Sequence, residues 1–315
     1  MTNKKDIINI ESYVKEKGLR NEIKNRINRK NYFLIDKGDS SKINKTFLNL
    51  PINIERLDQK ILYSKEYIFY SFSNKKMTKY LQKCLINLSN EKITFIEDEL
   101  QGNFREVIKN RNGNYFFSNL INVCGHNNRI KILEELSNLL SEDCIDQFGT
   151  YPIQNLIQLA SSEYEFKLLM ASFDKDKNIL LPSLNLYGSL VIQKLIRHIP
   201  DNLRKKFNSK FVKFVSVLSK DTYGIFALEG FIKYTKDEAI QKQIFDSIIK
   251  DFLYLSTNNI GNYLVQLLLL KWWDTKYGEY LKKEIESNFS IFSKNIYFAH
   301  ICELYNKLIT NNEEN

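Results

Sequence analysis

Breakers of regular structure are scarce in this chain: four prolines and eleven glycines are spread over 315 residues. Proline removes a backbone donor and clashes with the preceding helical turn, so a chain this poor in it has little to interrupt helices. The four cysteines, Cys84, Cys124, Cys144 and Cys302, show no close pairing, and the three histidines, His126, His198 and His300, cannot complete a zinc-ligand spacing with them. That argues against a disulfide framework or a Cys/His metal site and fits a reduced intracellular compartment. Long apolar runs are missing too. The opening MTNKKDIINIESYV has no apolar stretch of the signal-peptide kind, and the most apolar later window, Leu264 to Leu270, is interrupted by Gln266 and far shorter than a bilayer span. A soluble chain with no membrane partner is expected. There is no glycine-rich phosphate loop, nucleophile elbow or metalloprotease helix, so no catalytic residue, metal or cofactor is expected, and no enzyme.

What is present is ample core-forming material and a moderate excess of positive charge. Hydrophobic residues make up 43% of the chain and the formal net charge is +9. The first allows a sizeable core; the second favours a polyanion or an acidic surface as partner without identifying it.

The strongest signal is periodic. A block of the form Gly-x-aromatic-x-x-Gln within an apolar run starts at Met77, Gly113, Gly149, Gly188, Gly224, Gly261 and Asn295, in steps of 36, 36, 39, 36, 37 and 34 residues. Five of the eleven glycines occupy that one position, which makes the chain a repeat protein. Each unit reads as a polar turn, an apolar helix and, after a polar gap, a second amphipathic helix. Over 129–140 the residues Ile130, Ile132, Leu133, Leu136, Leu139 and Leu140 fall at three-to-four spacing, predicting one helix with one buried face. Units of this size cannot bury their apolar faces alone, so they must stack, with atypical copies at the ends. The C-terminal copy, where Asn295 replaces glycine and His300 replaces glutamine, reads as a cap. Residues 61–309 are assigned to the array and 310–315 to a polar tail. Residues 1–60 form either a basic extension or a degenerate repeat or cap; the stretch from Lys15 to Lys30 suits phosphate contacts and a solvated helix equally.

The first and fifth residues after the glycine lie four apart on a helix and are expected to project side by side, with the second residue between them. Along the array these are Thr78, Lys79 and Gln82; Asn114, Tyr115 and Ser118; Thr150, Tyr151 and Gln154; Ser189, Leu190 and Gln193; Ile225, Phe226 and Glu229; Asn262, Tyr263 and Gln266; and, in the cap, Ile296, Tyr297 and His300. Tyr115, Tyr151, Phe226 and Tyr263 are compatible with half-buried packing, but their flanking polar pairs favour an exposed role. Trp272 and Trp273 follow an apolar run and are expected in the core between repeats.

FGTYPIQNLI from Phe148, YGSLVIQKLI from Tyr187, GNYLVQLL from Gly261 and ITFIEDELQGNFREVI from Ile93 resemble the Pumilio (PUF) family, over roughly Ile68 to Leu308. The resemblance implies an all-α, right-handed superhelical solenoid of three-helix repeats, each holding one RNA base between two edge-reading side chains and one stacking side chain. It also implies RNA running antiparallel to the protein, with its 5′ end on the C-terminal repeats, and an adenine-type pair in Ser189 and Gln193.

The chemistry of the other slots follows from donors and acceptors. Asn262 and Gln266 carry amides able to match the mixed edge of uracil while Tyr263 stacks. An ionised carboxylate only accepts, and guanine offers two adjacent donors, so Glu229 points to guanine. Leu190 and Lys79 lack an aromatic face and should stack weakly; Ile225 and Ile296 cannot hydrogen-bond, Ser118 is short, and Thr150 is an unusual partner for Gln154. The expected function is single-stranded RNA binding on the concave face by a monomer with a 5′-UG-like preference. The resemblance implies cytoplasmic control of messenger RNA through decay or translation-repression proteins at 3′ untranslated regions. A nucleolar factor binding precursor ribosomal RNA is the alternative, and a protein-binding helical scaffold is the alternative of another class.

Overall fold

A computed structural model describes residues 63–313. Contacts divide the chain into Met1–Asp58 and Gln59–Asn315, and every described residue belongs to the second unit. The basic stretch and the reading of residues 1–60 lie outside the described residues.

All regular structure among the described residues is helical. In order the helices are α1 (Lys65–Ser71), α2 (Lys75–Leu85), α3 (Asn90–Leu100), α4 (Phe104–Lys109), α5 (Gly113–Val123), α6 (His126–Leu136), α7 (Leu140–Asp143), α8 (Thr150–Leu159), α9 (Glu163–Ala171), α10 (Asp176–Ser183), α11 (Leu186–His198), α12 (Asp201–Phe211), α13 (Val215–Leu218), α14 (Gly224–Tyr234), α15 (Glu238–Ile249), α16 (Phe252–Ser256), α17 (Gly261–Trp272), α18 (Lys276–Phe292) and α19 (Ile296–Glu313). They group in threes: a short helix, a glycine-led helix and an outer helix. The helix predicted over 129–140 stops at Leu136, and α7 restarts at Leu140 as the short helix of the next repeat.

One polar residue sets the start of each glycine-led helix. Three residues before the glycine, Asn110 Oδ1 accepts from the amides of Asn112 and Gly113, both at 2.9 Å. Asp146, Asn185, Asp221 and Asn258 do the same for their own repeats, satisfying donors that the first helical turn leaves unpaired. The glycine then permits a close crossing. A Cβ at Gly188 would lie 2.5 Å from the Pro182 carbonyl oxygen, and one at Gly149 would lie 2.6 Å from that of Asp143. The short helix therefore folds back against the start of the next helix, which explains why glycine recurs there.

Glycine-led helices pack side by side, α2 on α5, α5 on α8, α8 on α11, α11 on α14, α14 on α17 and α17 on α19. Their third, fourth, seventh and eighth residues after the glycine form the core, as in Val191, Ile192, Leu195 and Ile196 of α11. Each such side chain contributes about 1.5–3 kcal/mol by leaving water. Trp272 and Trp273 are buried, as their sequence context predicts. Ion pairs join successive repeats, Arg105 with Asp143 between short helices and Arg129 with Glu165 between outer helices.

One buried group works against the fold. Glu97 of α3 is 5% exposed, and neither carboxylate oxygen has a hydrogen-bond partner among the described residues. Burial pushes its carboxyl up to about 7, only partly countered by the neighbouring Cys124 thiol and Lys131. The folded state thus holds the proton while the unfolded carboxyl, with an ordinary value of 4.5, releases it. Stability falls as pH rises between those two values. Replacing Glu97 by glutamine should leave thermal stability nearly unchanged at pH 4 and raise it at pH 8 by an amount on the order of 1–3 kcal/mol. Equal effects at both pH values in melts of the two proteins would refute this.

Candidate nucleic-acid interface

The glycine-led helices turn the same positions outward in each repeat. The second residue stands clear of the surface: Tyr115 is 58% exposed, Tyr151 61%, Leu190 39%, Phe226 40% and Tyr263 67%, with Lys79 also exposed. Unlike the aromatics of the core, these rings have open faces, so half-buried packing does not describe them. The fifth residues, Gln82, Ser118, Gln154, Gln193, Glu229 and Gln266, are half-buried beside them.

The first residue departs from expectation. Thr78, Asn114, Thr150, Ser189, Ile225 and Asn262 are all buried, because the first turn of each helix is wedged against the preceding short helix. The polar ones among them satisfy backbone carbonyls: Thr78 Oγ1 donates to that of Ser71 at 2.8 Å, Asn114 Nδ2 to those of Asn110 and Arg111, both at 2.8 Å, and Thr150 Oγ1 to that of Tyr187 in the next repeat at 3.2 Å. In two repeats the first residue also supports the fifth. Gln154 Nε2 donates to Thr150 Oγ1 at 3.0 Å, and Gln266 Nε2 donates to Asn262 Oδ1 at 2.9 Å. The i, i+4 pair is therefore stacked in depth, the inner member holding the amide of the outer. Thr150, an odd choice for a base edge, is a suitable inner support. Ile225 lines the core and leaves Glu229 to be held instead by Lys233, whose Nζ lies 2.5 Å from Glu229 Oε1.

The C-terminal copy has a different register from the expected one. Asn295 Oδ1 accepts from the amides of Tyr297 and Phe298 at 2.9 and 3.0 Å, which is the role of Asn110 and its counterparts. Asn295 is thus the capping residue, and Phe298 occupies the glycine position. The step from Gly261 becomes 37 residues rather than 34, and the outward triplet becomes Ala299, His300 and Glu303 in place of Ile296, Tyr297 and His300. Burial agrees: Phe298, Ile301 and Cys302 are buried, whereas His300 and Glu303 are exposed. Glycine is absent there because α18 runs unbroken to Phe292, so no short helix folds back, and the Phe298 ring packs 5.9 Å from that of Phe292. The recurring Asn/Asp three residues ahead of the glycine is the sequence signal that finds this register.

Cations flank the outward row. Arg197, Lys233 and Lys307 each stand nine residues after the glycine position, on the face shared by the second and fifth residues, and all three are exposed. Among the described residues no group of His, Cys, Asp or Glu could hold a metal ion, and no single helix is long and apolar enough to cross a membrane. Exposed flat rings at one repeat spacing, hydrogen-bonding groups beside them and cations alongside suit a single-stranded polyanion bearing flat bases.

Known proteins resemble this chain in sequence and in fold. The profile of the Pumilio-family RNA binding repeat matches residues 103–137 and 183–206. Pumilio homolog 12 of Arabidopsis thaliana is 23% identical over 248 residues, covering 76% of this chain and 40% of that protein. Pumilio homolog 11 of the same organism is 29% identical over 178 residues, covering 53% and 32%. The chain thus spans well under half the length of these relatives. Among solved structures, a Puf4 double mutant bound to the Cox17 RNA 3′ UTR recognition sequence superposes with a TM-score of 0.69 at 18% identity, covering 75% of this chain and 73% of that one. The fold is accordingly the expected all-α superhelical solenoid of three-helix repeats.

Proposed function

The chain belongs to the Pumilio family, in a divergent form, and from that premise we propose that its row of outward triplets binds single-stranded RNA in a base-selective manner. The observation that carries this reading is the repeat-locked exposure of Tyr115, Tyr151, Phe226 and Tyr263 beside hydrogen-bonding fifth residues. The role is binding rather than catalysis. Rings supply stacking, flanking lysines and arginines attract phosphate, and the fifth residues select the base.

Gln266 is fixed by Asn262 through one N–H, which leaves its second N–H and its carbonyl for a base; one donor and one acceptor match uracil. Glu229 and Glu303 present acceptors only and suit guanine. Read from the C-terminal repeat, with RNA antiparallel as in the family, the expected motif opens 5′-GUG. Control of messenger RNA in the cytoplasm by a monomer that recruits decay or translation-repression proteins is the corresponding cellular role.

Selection from a random single-stranded RNA pool with purified protein, followed by sequencing, tests this. A motif containing UG is the expected result, and Gln266→Glu should change its uracil to guanine, with uracil disfavoured by about tenfold or more, since a good pair of base-edge hydrogen bonds is worth about 1–3 kcal/mol. Uracil retained in the variant would remove Gln266 from the reading. Failure of the unaltered protein to bind any RNA at moderate salt would sink the function itself.

A further inference from the structure

Gln193 is held differently from Gln154 and Gln266, and the cause lies one repeat further on. Its Nε2 does not return to its own helix; it donates across 33 residues to the carbonyl oxygen of Phe226 at 2.9 Å. Ser189, the counterpart of the inner supports Thr150 and Asn262, donates its hydroxyl to the Leu186 carbonyl at 3.2 Å and is fully buried. The space that lets Gln193 lie across α14 is made by Gly230. In the other repeats the sixth residue after the glycine is Lys83, Asn119, Asn155, Lys194 or Leu267, each with a side chain beyond Cβ. A Cβ at Gly230 would lie 2.7 Å from Gln193 Cγ and 3.4 Å from its Cα. The methylenes of Gln193 therefore occupy the volume that a side chain at 230 would fill.

Two further features weaken the same slot. The stacking position holds Leu190, which has no π face to offer a base. Gln193 keeps a second N–H and its carbonyl, as Gln266 does, but its amide is tied to the backbone of α14 in the next repeat and not to a residue of its own helix beside the stacking position.

Resting on the RNA-binding reading above, we infer that the Gln193 slot accepts any base, and that Gly230, a residue outside the outward triplet, is what makes it permissive. The slot is a spacer between selective neighbours, in place of the adenine-reading pair expected from sequence. Gly230 acts here as a positioning residue, through Gln193.

The test is selection from the random RNA pool by the unaltered protein, by Gly230→Ala and by Gly230→Ala combined with Gln193→Ala. The position read is the one next to the guanine of the Glu229 slot, on the side away from the Gln266 slot. In the unaltered protein that position should show no preference while its neighbours do. Alanine at 230 is favourable in a helix interior, which offsets the shift its methyl group forces on Gln193, so the variant should fold with a melting temperature close to that of the parent. Its methyl group displaces Gln193 from Phe226, and one base should then be enriched roughly fivefold, the size of one hydrogen bond gained. Adding Gln193→Ala should abolish the gain. A clear preference at this position in the unaltered protein, lost in a fourth protein carrying Gln193→Ala alone, would overturn the inference while leaving the function standing. An unchanged flat profile in a folded Gly230→Ala protein would show that Gly230 is not the determinant. Absence of any bound RNA would remove the functional reading and this one with it.

Discussion

Replacing Tyr115, Tyr151, Phe226 and Tyr263 together by alanine should abolish RNA binding and leave the fold intact. Base stacking contributes about 1–3 kcal/mol per ring by alanine substitution. The four rings sit in separate repeats, so their losses should nearly add. Even the low end of that range corresponds to roughly a thousandfold loss of affinity. Stability should hardly change, because all four are at least 40% exposed and none belongs to the inter-repeat core. Fluorescence anisotropy on a labelled single strand and a thermal melt together read the outcome. Affinity within tenfold of the parent would mean that bases do not stack on this row; lost affinity with a collapsed melt would mean the rings pack the fold instead.

Arg129→Met should have the largest effect on stability. Arg129 of α6 and Glu165 of α9 meet across one repeat interface, with Nε 2.6 Å from Oε1, and Glu165 is completely buried. Burial alone would raise its carboxyl, but the amides of Ser161 and Ser162, Arg129 and the Ser162 hydroxyl outweigh that and hold it at about 2. Glu165 also closes the capping box at the start of α9, so its charge serves both the helix end and the interface. Removing one partner of a buried pair typically costs about 3–5 kcal/mol, and the lower end of that range is expected here, because Ser161 and Ser162 still donate to the remaining carboxylate. A carboxyl lowered in the fold stabilises above its ordinary value of 4.5 and loses that contribution as pH falls towards 2. Without Arg129 the folded value rises, so acid unfolding should begin closer to neutral pH. In a Glu165→Gln background the same arginine substitution should cost much less. Denaturant melts of the four proteins in that cycle, from pH 3 to 7, check both statements, and strictly additive losses would rule out the coupling.

Much of the fold is legible because stacking forces each repeat to reuse the same solution. The apolar residues three, four, seven and eight after the glycine recur since each repeat buries the same face against its neighbour. The glycine recurs since a carbonyl oxygen passes within van der Waals distance of where its Cβ would be. Periodicity alone is therefore enough to mark the glycine-led and outer helices, the buried face and the outward aromatics, but not the short helices, since the three-to-four spacing over 129–140 runs on past the end of α6 into α7. It misplaces the last copy, where an uninterrupted α18 removes the close crossing and with it the need for glycine; the repeat pattern then settles on Asn295, which is a cap.

The amino-acid sequence by itself determined the repeat length, the all-helical solenoid and the positions of the outward aromatics, because these depend on chemistry that recurs along the chain. Tertiary structure alone decided how each polar side chain is used. Whether the first residue meets solvent or lies beneath the fifth depends on the short helix packed over it, and it lies beneath. Whether a glutamine stands on its own helix, as Gln266 does, or lies across the next, as Gln193 does, depends on the volume left by a residue 37 positions later in the chain, Gly230. Hydrogen bonds a few ångströms long between neighbouring repeats are set by packing in three dimensions, and spacing along the chain carries no record of them.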